Sequence, residues 1–206
     1  MASNPDFVRY IAFTQEVWVT EPDNARIEVF GFSNNVLKHS GFIAIPGGPE
    51  SLVIDQDQQK AYTNLWKGVT VAIDFKNQRL ESWSNGCFSS HGLALDDKRG
   101  FLFVGCSEGR IVVLDTKHNG KVLGSLETGT LGIDVIGYNA QLSHVYLAAG
   151  QSAKLSIVEI SDKDVPELLG VMDAAKSSHC VTGDNADGIW VCDPDRGRIL
   201  YFKDDF

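Results

Sequence analysis

Short runs of apolar and β-branched residues alternate with polar turns along the whole chain. Phe101-Leu102-Phe103-Val104-Gly105 and Arg110-Ile111-Val112-Val113-Leu114-Asp115 are two such runs. Asp97-Lys98-Arg99-Gly100 and His118-Asn119-Gly120 are typical of the gaps. The runs have the length of strands, and Gly, Asn and Asp in the gaps supply the backbone angles that tight turns need. Apolar spacing of i, i+3, i+4 is not sustained over any long window, so no long helix is predicted.

The runs recur as sets of four. His91-Gly92-Leu93-Ala94-Leu95-Asp96 matches Glu50-Ser51-Leu52-Val53-Ile54-Asp55 at an offset of 41 residues. The second, third and fourth runs of these units are 101–105 with 60–64, 110–115 with 69–74, and 121–126 with 79–83. An earlier set occupies 9–13, 16–20, 26–30 and 41–45, and a later one 134–138, 144–148, 154–159 and 167–172. A fifth set, 179–183, 189–193 and 198–202, contains the turn Asn185-Ala186-Asp187-Gly188 and has no fourth run. Four short antiparallel strands at this period make a propeller blade, and a blade cannot bury both faces alone, so blades come in series. The prediction is an all-β chain forming one β-propeller domain of about five four-stranded antiparallel blades. They lie near residues 7–46, 47–86, 87–129, 130–174 and 175–206, the last incomplete. A β-sandwich would not make turn types and apolar positions recur together.

Composition narrows the function. With 206 residues, 43% of them apolar, the chain can bury a substantial core. A formal charge of −9 without a Lys/Arg cluster argues against nucleic acid, whose phosphates demand a cationic surface. No apolar run approaches the roughly 18 residues of a membrane span, and residues 1–6 lack the basic and apolar regions of a secretion signal. The expectation is therefore a soluble chain, cytoplasmic as written. Four cysteines do not make a disulfide scaffold, and free thiols are the default in such a chain. Cys87 and Cys106 flank strands that pair, so they can approach one another. The register reads Cys180 opposite Asp193 and Cys192 opposite Val181, which points those two thiols to opposite faces.

The unit Gly92-Leu93-Ala94-Leu95-Asp96, Leu102-Phe103-Val104-Gly105-Cys106, Val112-Val113-Leu114-Asp115 and Gly120-Lys121-Val122 resembles the YVTN-type β-propeller repeat. Gly48-Pro49-Glu50 and Trp18-Val19-Thr20 are similar to it as well. The resemblance is to surface-layer-like propellers and to relatives of the lactonase and streptogramin-lyase propellers, many of them exported. It implies the fold over nearly the whole chain and says little of activity, because this fold hosts many functions. Such propellers usually close six or seven blades. The five units here read either as part of a larger propeller or as a smaller form with an open blade edge, and an open edge invites a second copy to pair.

In a propeller the first strand of each blade lines the central channel, and the residue that leads into it sits at the channel mouth. The aligned lead positions are Arg9, Glu50, His91, Asp134 and His179, the first hairpin being shorter than the others. Charged and imidazole groups converging there suit a polar ligand or acid–base work. The turn residue Trp66 offers a ring for stacking on the same face. No cofactor is implied. A divalent ion held by Glu50, His91, Asp134 and His179 is the lesser reading, since the four come from separate blades without short ligand spacing. No nucleophile elbow, C-x-x-C, H-E-x-x-H or phosphate loop is present. The leading function is a non-enzymatic scaffold binding a small polar ligand or a protein at the channel mouth. The alternatives are a lactone-acting hydrolase or lyase, metal-assisted or not, with His91, His179 and Glu50 as its working residues, and a structural part of a larger propeller.

Overall fold

A computed structural model describes residues 4–161, 165–184 and 186–206. Residues 1–3 of the N-terminal stretch and Asn185 of the fifth unit's turn lie outside them.

Every predicted unit folds into one antiparallel sheet. Sheet 1 contains β1 (Val8–Ile11), β2 (Glu16–Glu21), β3 (Arg26–Ser33) and β4 (Val36–Ala44). Sheet 2 contains β5 (Val53–Asp55), β6 (Lys60–Leu65), β7 (Val69–Asp74) and β8 (Leu80–Ser84). Sheet 3 is β9 (Ser90–Asp96), β10 (Phe101–Cys106), β11 (Arg110–Asp115) and β12 (Lys121–Glu127). Sheet 4 is β13 (Ile133–Asn139), β14 (His144–Ala149), β15 (Lys154–Ile160) and β16 (Pro166–Asp173). Sheet 5 has three strands, β17 (Val181–Gly183), β18 (Gly188–Asp193) and β19 (Arg198–Lys203). The fold is a five-bladed β-propeller whose last blade has three strands. Strand β1 pairs with β2 inside sheet 1 and does not complete sheet 5.

The middle strands of each unit read as continuous apolar runs because both their faces are covered. On β6, Ala61 packs toward sheet 1 and Tyr62 toward sheet 3. On β10, Leu102 and Val104 face sheet 2 while Phe103 faces sheet 4. Val145 and Leu147 of β14 face sheet 3, and Tyr146 and Ala148 face sheet 5. Four apolar clusters thus join neighbouring sheets in series, from 1 to 5. Among the described residues no such cluster joins sheet 5 to sheet 1. The far faces of the two end sheets instead expose Val8, Tyr10 and Phe42 on one side and Trp190, Ile199 and Tyr201 on the other. Sheets 2, 3 and 4 are packed on both faces and sheets 1 and 5 on one.

Turns repeat one chemistry. Asp55 and Asp96 end their first strands and accept backbone N–H groups from Gln58 and Arg99. Asp74 and Asp115 end their third strands and accept from Lys76 and Asn77, and from Lys117 and His118. A short acidic side chain thereby mimics the turn's own hydrogen bonding.

The cysteines depart from expectation. Cys87 and Cys106 are disulfide-bonded, and so are Cys180 and Cys192, each pair with Cα atoms 5.5 Å apart; no free thiol is present. The predicted register of the fifth unit is off by one residue. Val181 lies opposite Val191, because both pack on sheet 4, and this brings Cys180 opposite Cys192 on one face. No described helix is long and apolar enough to cross a membrane.

Candidate functional site

Three of the predicted lead positions meet. His91 Nδ1 lies 3.3 Å from Glu50 Oε1 and 3.7 Å from Asp134 Oδ1. Glu50 precedes sheet 2, His91 is the second residue of β9, and Asp134 the second of β13. They converge because the apolar residue two positions later, Leu52, Leu93 or Ile136, packs against the preceding sheet and sets the depth of each strand.

A buried polar network supports them from behind. Asn64 Nδ2 donates to the His91 carbonyl oxygen at 2.9 Å, and Asn64 Oδ1 accepts from Thr70 Oγ1 at 2.8 Å. Asn85 Nδ2 donates to Thr70 Oγ1 and to Ser90 Oγ, and Ser90 Oγ donates to the Leu65 carbonyl oxygen. These side chains have no exposure, so sheet 2 and the start of β9 are locked together by bonds that water does not compete for. On the other side, Gly92 passes so close to β13 that a Cβ would stand 2.3 Å from the Asp134 carbonyl oxygen.

The register of sheet 1 places Asp6, not Arg9, at the equivalent lead position. Val8 opposite Val19 corresponds to Leu93 opposite Val104, Ile136 opposite Leu147 and Val181 opposite Val191. Two residues before these lie Asp6, His91, Asp134 and His179. Arg9 pairs with Trp18, donates to the Val8 carbonyl oxygen and lies over the Phe7 ring; burial pulls its guanidinium below its ordinary range. The predicted alignment failed because no described sheet covers Val8, which is exposed and reads as no anchor. Asp6 is the lead-position residue that sequence reasoning missed.

His91 is pushed up to about 9 by Asp134 and then Glu50, against burial, which pulls it down. The two carboxylates contact Nδ1 as ion-pair partners, while Nδ1 has no hydrogen-bonded partner. Asp6 is an exposed residue, yet its carboxyl is pushed up to about 6, first by desolvation from the surrounding chain, then by Glu50 and Asp134, while His91 pulls it down. Water still reaches its side chain. At neutral pH the mouth therefore carries an imidazolium among an excess of carboxylates.

The remaining candidates surround this cluster. The Trp66 ring lies 5.4 Å from the His91 ring and is half exposed. Ser89 Oγ is 3.2 Å from His91 Nε2. Glu108 accepts the Phe88 and Ser89 backbone N–H groups and so shapes the loop into β9, leaving the Phe88 ring 80% exposed. A cavity of about 330 Å³ opens beside the cluster between His91, Asp134, Gln151, Lys176 and His179. Its size is at the small end of ligand pockets. His179 lines this cavity, its Nδ1 3.0 Å from the Ser177 carbonyl oxygen, and stands outside the Glu50–His91–Asp134 cluster. Cys87, Cys106 and Glu108 also lie close together, but their sulfurs are bonded to each other and give no metal ligands.

No protein-family model and no curated protein matches this sequence. Solved structures do match its fold. The β-propeller domain of Myceliophteria thermophila Cps50 (Swd1) superposes with a TM-score of 0.81 at 11% identity, over 98% of this chain and 71% of that one. A chain of a nidogen/laminin complex gives 0.78 at 11% identity, over 98% and 77%. A putative 6-phosphogluconolactonase from Bacteroides uniformis gives 0.71 at 15% identity, over 83% of this chain and 55% of its own. Identities this low establish the propeller and nothing about chemistry.

Proposed function

We propose that the chain is a binding propeller that holds a small polar ligand at its channel mouth. The observation that carries this is the meeting of Glu50, His91 and Asp134 from three separate sheets beside a cavity of about 330 Å³. The carboxylate excess favours a ligand with a cationic or hydrogen-bond-donating group, and Trp66 favours a flat face on it. The test is a thermal-shift and calorimetric screen of amino sugars, polyamines and sugar lactones. A member of the set should raise the melting temperature of the wild type and fail to do so for Trp66→Ala or Asp134→Asn. No shift with any of them, or an equal shift in both variants, would remove the support.

A second reading is lactone hydrolysis, favoured by the likeness to the Bacteroides uniformis protein. Held near 9, His91 would act there as an acid and not as a base, since a base must be unprotonated at working pH. Equal inactivity of the wild type and a Glu50→Ala/His91→Ala double variant toward sugar lactones, with and without divalent metal, would end this reading. One neighbour is a chain of a nidogen/laminin complex, so a protein loop is the other occupant to compare in the binding assay.

A further inference from the structure

We propose that Glu50, His91 and Asp134 form a divalent-cation site of the Mn²⁺ or Zn²⁺ type, open toward the adjoining cavity. The inference rests on the reading of the mouth as a ligand site and names what binds there first.

Geometry supports it. One donor atom from each residue lies within 4.8 Å of the other two. Donors that share an ion at about 2.0–2.2 Å stand roughly 3–3.5 Å apart in adjacent positions. The 3.3 Å from His91 Nδ1 to Glu50 is that of adjacent ligands and the 3.7 Å to Asp134 is a few tenths wider; both are long for direct hydrogen bonds. Nδ1 itself is a buried nitrogen without a hydrogen-bonded partner. Its two ion-pair partners stand too far away for well-formed hydrogen bonds, and an ion between the three groups would contact all of them at once.

The imidazole is also oriented for the task. Ser89 Oγ, 3.2 Å from Nε2, can accept the Nε2 proton, so that an entering cation would displace only the proton on Nδ1, which faces the two carboxylates, and take its place. This outer contact is of the kind that orients metal-bound imidazoles. Ser89 is held in turn by Glu108 through its backbone N–H. The three donors arise from three sheets that the Asn64 network and the Gly92 crossing hold in register, so the site is formed before anything binds. One imidazole with two carboxylates is a mixed nitrogen and oxygen set, which suits Zn²⁺ or Mn²⁺. Three protein donors leave coordination positions free, and the cavity lined by His91, Asp134 and His179 is where water or an organic ligand would complete them.

The experiment is calorimetric titration of the full chain, stripped with EDTA and desalted, with MnCl2 and separately with ZnCl2. The expected result is one-to-one saturation by at least one ion. Affinity should fall roughly tenfold or more in Glu50→Gln and in Asp134→Asn, and measurably in Ser89→Ala, which removes no ligand. Circular dichroism checks folding, and if one carboxylate variant fails to fold, the other and Ser89→Ala carry the same test. Absence of stoichiometric binding by either ion, or wild-type affinity in the Glu50→Gln/Asp134→Asn double variant, would overturn the proposal. Organic-ligand binding by the stripped chain without uptake of either ion overturns this inference alone and leaves the ligand reading standing. Uptake of an ion with no organic ligand bound would do the reverse.

Discussion

Raising the pH from 6 to 9 should weaken the fold, and His91 should be the main reason. The imidazole has an ordinary value of 6.5 and is pushed up to about 9 by Asp134 and Glu50. The folded state therefore binds the proton more tightly than the unfolded chain. The stabilisation is fully present below pH 6.5, declines between 6.5 and 9, and is gone above that. At 1.36 kcal/mol per pH unit the gap corresponds to about 3 kcal/mol. The side chain is only 17% exposed, so solvent screening does not erase it. Asp6 acts in the same direction at lower pH. Its carboxyl is raised from 3.8 to about 6, so the folded state favours its protonated form, and that contribution is lost as pH rises through 6. The assay is urea unfolding in EDTA at pH 6, 7, 8 and 9, followed by fluorescence and circular dichroism, whose coincidence checks two-state behaviour. With a slope of about 1–3 kcal/mol per molar urea, the midpoint should fall by roughly 1–3 M. His91→Gln should flatten the profile above pH 6.5. A wild-type midpoint constant between pH 6.5 and 9, or an equal decline in His91→Gln, would refute the reasoning.

Replacing Cys87 and Cys106 together by Ser opens a cross-link with a sequence separation of 19. The expected cost is about 3 kcal/mol, or roughly 6–12 °C in melting temperature by calorimetry. Gly92→Ala should destabilise by about 2 kcal/mol or more, because its Cβ meets the Asp134 backbone, which cannot swing aside as a side chain does; chemical denaturation reads it. Asn64→Ala leaves Thr70 and Asn85 without their shared partner in a dry network and should cost about 1–3 kcal/mol in the same assay. The exposed faces of the end sheets should bind the dye ANS in the native state, and Tyr10→Thr with Trp190→Thr should lower that fluorescence without loss of secondary structure.

Most of the fold is legible in the sequence because blade packing covers both faces of the middle strands. Ala61 and Tyr62, or Leu102 and Phe103, are adjacent apolar residues that serve different junctions, and that doubling makes the runs continuous and the repeat visible. The lead positions Glu50, His91, Asp134 and His179 align because Leu52, Leu93, Ile136 and Val181 anchor them two residues later. The alignment breaks where burial no longer marks the anchor. No described sheet covers Val8, so Asp6 carries no signal and Arg9 is read in its place. The fifth unit slips for another reason: β17 has three residues, too few for the pattern to choose between neighbouring registers, and the Cys180–Cys192 bond goes unseen. Ser89 and Phe88 owe their placement to Glu108, twenty residues on in the case of Phe88, and no local pattern announces such a contact.

The division between doubly and singly packed sheets bears on how the mouth behaves in time. Each sheet is held by the sheets packed on it, so those packed on one face should open more often than those packed on both. Amide exchange should accordingly be slowest in β6, β10 and β14 and fastest in sheets 1 and 5. Glu50, His91 and Asp134 all stand on the slow interior, whereas Asp6 and His179 ride on the two ends. Fraying at either terminus would move the outer pair and leave the central three in place. The mouth is in this sense a rigid triad between two movable jaws, and an occupant that touches Asp6 and His179 as well would quiet the exchange of both sheet 1 and sheet 5.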